Sequence, residues 1–324
     1  MDLKWVVAVV AVLAGVVLFL MGPTRDVALD DTLIVAQGGN NQVSLVTPAS
    51  GLIQRIDVGP LVHGVGALPD GSKAYAASFG SDEVSVIDLA TKQAVATINV
   101  GGKSHHIEVS PDGLWVYATV GSTNAVAVID TKTDTVAATI PVAQGPTYTV
   151  FTLDGEKAYV TSRKANLISV IDTATMKVLQ EIPVDSPDHL ALSADGRTLY
   201  VADRGSDQVS VIDTAKDELI TTIPVGQGPH GVAVVERGGN PFVVVGNRGG
   251  TTLSIIDATS YKVIKTVDLK VSPEHLTASS DRKILFAGSI PDRSLFVFDV
   301  RRSRVIKRID VKGEIHQIAV VSSK

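Results

Sequence analysis

From Asp31 onward the chain repeats itself. The stretch GPLVHGVGALPDGSKAYAASFGSDEVSVIDLATKQAVATINV, which starts at Gly59, recurs as GGKSHHIEVSPDGLWVYATVGSTNAVAVIDTKTDTVAATIPV from Gly101. Further copies start at Ala143 and Asp185, and more divergent ones at Gly226 and Lys270. The acids closing each V-I-D or F-D element are Asp88, Asp130, Asp172, Asp213, Asp257 and Asp299, spaced by 42, 42, 41, 44 and 42 residues. A fixed period of that length means a repeat architecture, in which each unit buries its apolar faces against its neighbours.

Each repeat holds four short runs of alternating or β-branched character, such as TYTVFT, KAYVTS, LISVID and VLQEIPV in the copy from Ala143. Turn signals separate them, including Asp154-Gly155, and no helical period intervenes. Four antiparallel strands per unit of about 40 residues describe a propeller blade. The ends supply the closure. Residues 31–58 provide the last three strands of a blade, and KGEIHQIAVVSSK at the C-terminus provides a first strand. Together they make one blade, which with six intact copies predicts an all-β, seven-bladed β-propeller over residues 31–324. A closed ring leaves no free sheet edge.

Residues 5–21, WVVAVVAVLAGVVLFLM, run without a charge. As a helix they would span about 26 Å, against a hydrocarbon core of about 30 Å. The run exceeds the usual hydrophobic region of a signal peptide, and no A-x-A site follows it. The expectation is one N-terminal transmembrane or signal helix over residues 1–22, a linker over 23–30, and a propeller held at the membrane in the periplasm or outside the cell. A secreted form after signal cleavage is the alternative. The chain has no Cys, which excludes a lipoprotein anchor, Cys-based metal sites and covalent c-type haem. A net charge of -5 argues against nucleic acid as a partner.

AYVTS from Ala158, LYVAD from Leu199 and the recurrent VSVIDT resemble the YVTN-type β-propeller repeats. The resemblance covers nearly all of the chain after Asp31. It implies an extracytoplasmic or cell-surface seven-bladed propeller and no single activity, because related propellers serve as surface-layer proteins, binding platforms and cofactor-holding domains. Function therefore has to come from the site.

Recurring acids are turn residues on this reading: Asp70, Asp112, Asp154 and Asp195 precede Gly in the first hairpin, and the closing Asp of V-I-D begins a later turn. Histidine is distributed differently. All seven fall where a first strand begins, in two adjacent registers. The first register holds His63, His105, Thr147, Asp188, His230, Glu274 and His316. The second holds Gly64, His106, Tyr148, His189, Gly231, His275 and Gln317. First strands line a propeller's axis, so each register predicts a ring at one mouth. Neighbouring strand residues point to opposite faces, so the two rings need not share a target.

Imidazole with carboxylate suits a transition metal, with His63, His105, His230 and His316 as candidate ligands, or a haem-like cofactor. The alternative is structural: imidazoles that cap loop backbone or pack between blades. The His105-His106 pair resembles part of the His-lined copper centre on the nitrous oxide reductase propeller, but this chain lacks that enzyme's second copper domain and its Cys ligands. Arg163, Arg204 and Arg248 follow the second strands of three blades and should share the face of the His ring, where they could hold a small anionic ligand or a protein partner. No Ser-His-Asp order, P-loop or dinucleotide motif stands in a suitable context, so a binding role is favoured over an enzymatic one. The opposite face is expected to carry only turn chemistry.

Overall fold

The computed structural model describes residues 29–321. The expected helix over residues 1–22 lies outside them, and no helix among the described residues is long and apolar enough to cross a membrane. Strands are numbered β1–β28 in chain order. They form seven four-stranded antiparallel sheets, the blades of a closed propeller.

Blade 1 is the split one. Strands β1 (Thr32–Gln37), β2 (Gln42–Thr47) and β3 (Leu52–Asp57) are completed by β28 (Ile315–Val321), which pairs antiparallel to β1 with Leu33 opposite Val320. Blades 2 to 7 are continuous, and their innermost strands are β4 (Val62–Ala67), β8 (Ser104–Val109), β12 (Pro146–Phe151), β16 (Pro187–Leu192), β20 (Pro229–Arg237) and β24 (Leu276–Ala278).

Burial follows position in the blade. Second and third strands are buried almost throughout, as in Lys73–Ser78 and Glu83–Asp88, because a neighbouring blade covers each face. Such strands are built from Val, Ile, Ala and Tyr, which fit a pleated surface. Outermost strands are largely exposed, except for the recurring Ile98, Ile140, Ile182 and Ile223 that reach back between blades. One extra residue bulges each outer strand of blades 2 to 7 at the same place, for example between Val86 and Ile87, and increases the local twist.

The repeated acids are turn residues, as expected. Asp88 Oδ1 accepts from Thr91 N at 2.7 Å, and Asp172 and Asp257 do the same in their blades. Asp112 and Asp154 accept from the backbone two residues on. The glycines after the first-hairpin acids, such as Gly113 and Gly155, have φ of +72° and +74°, a conformation that Gly adopts without a Cβ clash.

Candidate functional site

Every innermost strand starts at one mouth of the ring and runs along the axis. At that start the pairing with the second strand is irregular, with register shifts between Val62 and Gly64, Ser104 and Ile107, Pro146 and Thr149, Pro187 and Leu190, and Pro229 and Val232. The bulged backbone breaks strict alternation. Consequently the two registers do share a target. First-register His105 lies 5.2 Å, ring to ring, from second-register Tyr148, and His230 lies 5.7 Å from the same tyrosine. Both sets of side chains plug the axis in two stacked tiers. The independence allowed by simple strand geometry does not hold here.

The outer tier divides into two arcs. On blades 4 to 7 it is charged. Asp188 Oδ2 lies 3.4 Å from Arg163 Nη1, 3.5 Å from Arg204 Nη1 and 3.3 Å from His230 Nδ1. Glu274 takes Arg248 Nε at 2.6 Å and His230 Nε2 at 3.3 Å. The His230 Nδ1 approach is ionic, since its angle falls outside hydrogen-bond geometry. Burial opposes charge on His230, but the Asp188 and Glu274 carboxylates outweigh it and raise its pKa. Burial likewise pushes Asp188 up, yet His230, Arg163 and Arg204 hold it well below the usual carboxylate range. The arginines sit where expected, on the face of the His ring.

On blades 1 to 3 the outer tier is made of imidazoles, with one acid beside it, Glu314 Oε2 at 3.7 Å from His316 Nε2. His63 and His105 rings lie 3.9 Å apart, and His63 and His316 rings 4.7 Å apart. His63 Nδ1 lies 3.1 Å from His105 O, and His105 Nδ1 lies 3.1 Å from Thr147 O. A carbonyl only accepts, so each Nδ1 carries the proton and each Nε2 keeps its lone pair. Burial first, and then neighbouring imidazoles, lower the His63 pKa; His105 falls to about 4, mainly through burial. These rings therefore stay neutral. Fixing Nδ1–H on a carbonyl is how a second shell orients an imidazole whose Nε2 is to act as a ligand.

Beneath lies the second tier, centred on Tyr148. Its hydroxyl is 3.1 Å from His275 Nε2 and 3.4 Å from His230 Nε2, and its ring stands 4.9 Å from both His106 and His189. Val232 N donates to His189 Nδ1, which places that ring's proton on Nε2, the reverse of the outer tier. Gln317 reaches His106 Nε2 at 2.9 Å. Burial lowers the pKa of His106 and His275 strongly and that of His189 to about 3. Gly64 and Gly231 complete the tier because a Cβ there would sit 2.7 Å from His106 Cα or Glu274 O on the next blade.

Among the described residues, no group of three or more His, Asp or Glu side chains forms a ready-made metal cage. Of the four candidate ligands, His63, His105 and His316 cluster, whereas His230 is engaged by carboxylates. The donor set therefore suits one or two imidazole bonds to a group that brings its other ligands, rather than a bare ion.

Three participants were not foreseen. Phe79, at the blade 2 position equivalent to the arginines, is exposed and stands edge-on 6.1 Å from His105. Gly38, its blade 1 counterpart, leaves room that His316 fills, since a Cβ would approach that ring to 2.7 Å. The third is Glu108. The opposite mouth is not turns alone. It opens into a cavity of about 470 Å³ floored by His106, Tyr148, His189 and Gln317, with Glu108 on its wall. Glu108 is the only charged residue at its level, where the other blades present Gly66, Val150, Ala191, Ala233, Thr277 and Ala319, and that contrast is readable in the sequence.

Comparisons with known proteins agree with this architecture. Residues 154–240 match the model of the YNCE-like β-propeller family. The resemblance to YVTN-type propellers holds. Similar solved structures include Kuenenia stuttgartiensis hydrazine synthase, at 20% identity and a TM-score of 0.75 over 84% of this chain and 93% of that one. The dihydro-heme d1 dehydrogenase NirN in complex with DHE aligns at 20% identity and 0.71, over 88% of this chain and 64% of that one. A functionally unknown protein from Desulfotomaculum acetoxidans DSM 771 aligns at 15% identity and 0.78, over 91% of this chain and all of that one. At these identities the likeness is one of fold. No curated protein matches the chain in sequence.

Proposed function

We propose that the chain is a membrane-tethered, extracytoplasmic propeller that acts as a binding platform and takes a small anionic ligand on its Arg/His mouth. Residues 5–21 supply the tether. The observation that carries the reading is the charge of one arc: among the described residues Arg163, Arg204 and Arg248 pair with two acids, Asp188 and Glu274, and His230 adds to the cationic side. The guanidinium side chains remain 41%, 35% and 33% exposed, with N–H donors left over for a carboxylate or similar group. Beside them the neutral imidazoles and Phe79 offer a flat, weakly polar surface for the ligand's body. The experiment is mild isolation of the full-length protein from its native host, with native mass spectrometry of wild type and the R163Q/R204Q/R248Q variant. A small acidic component retained by the first and lost by the second supports the reading; equal retention by both, or none by either, counts against it.

The Nδ1–H fixation of His63 and His105 favours a second reading, in which the anionic ligand is a metal-bearing tetrapyrrole. His63 or His105 would hold its metal through Nε2, and the arginines would hold its carboxylates. Such a group, when bound, supplies redox chemistry. NirN, similar only in fold, is described as bound to DHE. Haemin added to the full-length protein should give a Soret band that shifts in H105A and H63A; an unshifted band in both variants removes this reading and leaves the first intact.

A further inference from the structure

The second mouth has features of a built site that the Arg/His mouth does not explain. Its cavity, about 470 Å³, falls within the range of small-molecule pockets. Small residues create it: at the level of Glu108 the other inner strands carry Gly66, Ala191, Ala233 and Ala319 among their six residues. The walls mix aliphatic side chains, Leu190, Leu276 and Ile318 among them, with Thr149, Thr152 and Thr277. Into this space one carboxyl projects, and Glu108 has no hydrogen bond or ion pair with any described residue. Thr149 Oγ1, on the same lining, is buried with no protein partner. Polar groups left unpaired inside a protein are costly, so they are expected to meet a partner when the site is filled.

We propose that this opposite mouth is a second ligand site that takes a small organic ammonium ion with an apolar body. The ammonium pairs with Glu108 and the body fills the space between the aliphatic and threonine side chains of the wall. Among the described residues no Lys or Arg lines the cavity, so none of them competes for the carboxylate. The titratable groups facing Glu108 are His106 on its own strand, Tyr148 on β12 and His189 on β16. Burial keeps both imidazoles uncharged near neutral pH and raises the Tyr148 pKa far above its usual value. Between pH 6.5 and 8.5 Glu108 is therefore the group that titrates, because burial raises it to about 8. Below about pH 8 the empty site holds mainly the neutral acid, and ammonium binding releases its proton. Affinity for a permanently cationic amine consequently rises with pH until the carboxyl is fully ionised.

Isothermal titration of the full-length protein with benzylamine, and with benzyl alcohol as the neutral isostere, tests this. Benzylamine should bind at least tenfold more tightly than the alcohol at pH 8, and about eightfold more tightly at pH 7.5 than at pH 6.5. E108Q should abolish both the preference and the pH dependence at unchanged melting temperature. A191F, which fills the cavity and keeps the carboxyl, should abolish binding. The R163Q/R204Q/R248Q variant should bind benzylamine as the wild type does, which separates this site from the Arg/His mouth. Undetectable benzylamine binding, equal binding by E108Q, or affinity that falls as pH rises would overturn the proposal.

Discussion

His230 on blade 6 holds Nε2 3.3 Å from Oε1 of Glu274 on blade 7, and its Nδ1 lies equally far from Asp188 on blade 5. One imidazole thus bridges acids from the blades on either side of its own. All three side chains are at least 95% buried, so the charges feel little solvent screening. His230 is raised by its partners, so the stability it contributes is present in full below about pH 6.5 and is lost as pH rises through its folded value. Asp188 is depressed, so its contribution is present above about pH 3.9 and is lost as pH falls toward its folded value.

Glu274→Gln removes one of the two anions. It should lower the His230 titration midpoint, read by imidazole NMR, and destabilise the fold by about 2–4 kcal/mol, since it leaves Arg248 without its counter-charge and His230 with Asp188 alone. The same change makes the arc more cationic, so anion affinity at the mouth should increase. A weakened affinity in a folded E274Q protein would mean that Glu274 contacts the ligand directly.

The second tier makes the fold acid-sensitive. His106 and His275 are 3% and 2% exposed, and both are depressed chiefly by burial. Below about pH 6.5 the unfolded chain gains protons that these rings refuse, so each subtracts about 1.4 kcal/mol of stability per pH unit until it titrates in the fold. Urea midpoints at pH 7.5, 6.0 and 5.0 should fall steadily, and H275N should flatten the slope. A midpoint independent of pH over that span would contradict the assigned neutrality.

Tyr148→Phe deletes the hydroxyl that faces the Nε2 atoms of His230 and His275. The expected cost is about 1–3 kcal/mol, because buried ring nitrogens lose their partner while packing volume is kept. Thermal unfolding reads it; an unchanged melting temperature would show that the hydroxyl makes no net bond there.

Neighbouring blades are also tied at their rims. Asp217 of blade 5 takes Lys157 Nζ at 2.7 Å and accepts from the Tyr159 hydroxyl of blade 4, and Asp134, Lys73 and Tyr75 repeat the arrangement between blades 2 and 3. Asp217→Ala should cost about 1–3 kcal/mol, because Lys157 Nζ loses its counter-charge and the buried Tyr159 hydroxyl keeps Thr214 O alone as a partner. Equilibrium unfolding checks it, with D217N expected to recover part of the loss.

The ring itself was legible because repetition multiplies weak strand signals: each V-I-D, each D-G and each I-P-V recurs at a fixed spacing, and the leftover strands at the two ends account for one another. The site was legible as a list and not as a geometry. His63, His105 and His230 stand out by register, but alternation assigned Tyr148 and His275 to another face. A bulge depends on backbone pairing across the blade, which side-chain periodicity does not encode. Arg–Asp188 pairing was likewise hidden, because residues 25 apart and on different blades meet only once the ring closes. Glu108 was visible as the odd acid in an aliphatic register, but its significance depends on the cavity around it.

The central claim is that the Arg/His mouth binds an anionic ligand. The most direct measurement is native mass spectrometry of the full-length protein isolated gently from its own host, compared with R163Q/R204Q/R248Q. A small acidic component is expected on the wild type and is lost from the folded variant. A wild-type protein at its bare sequence mass, or a component the variant keeps in full, would contradict it.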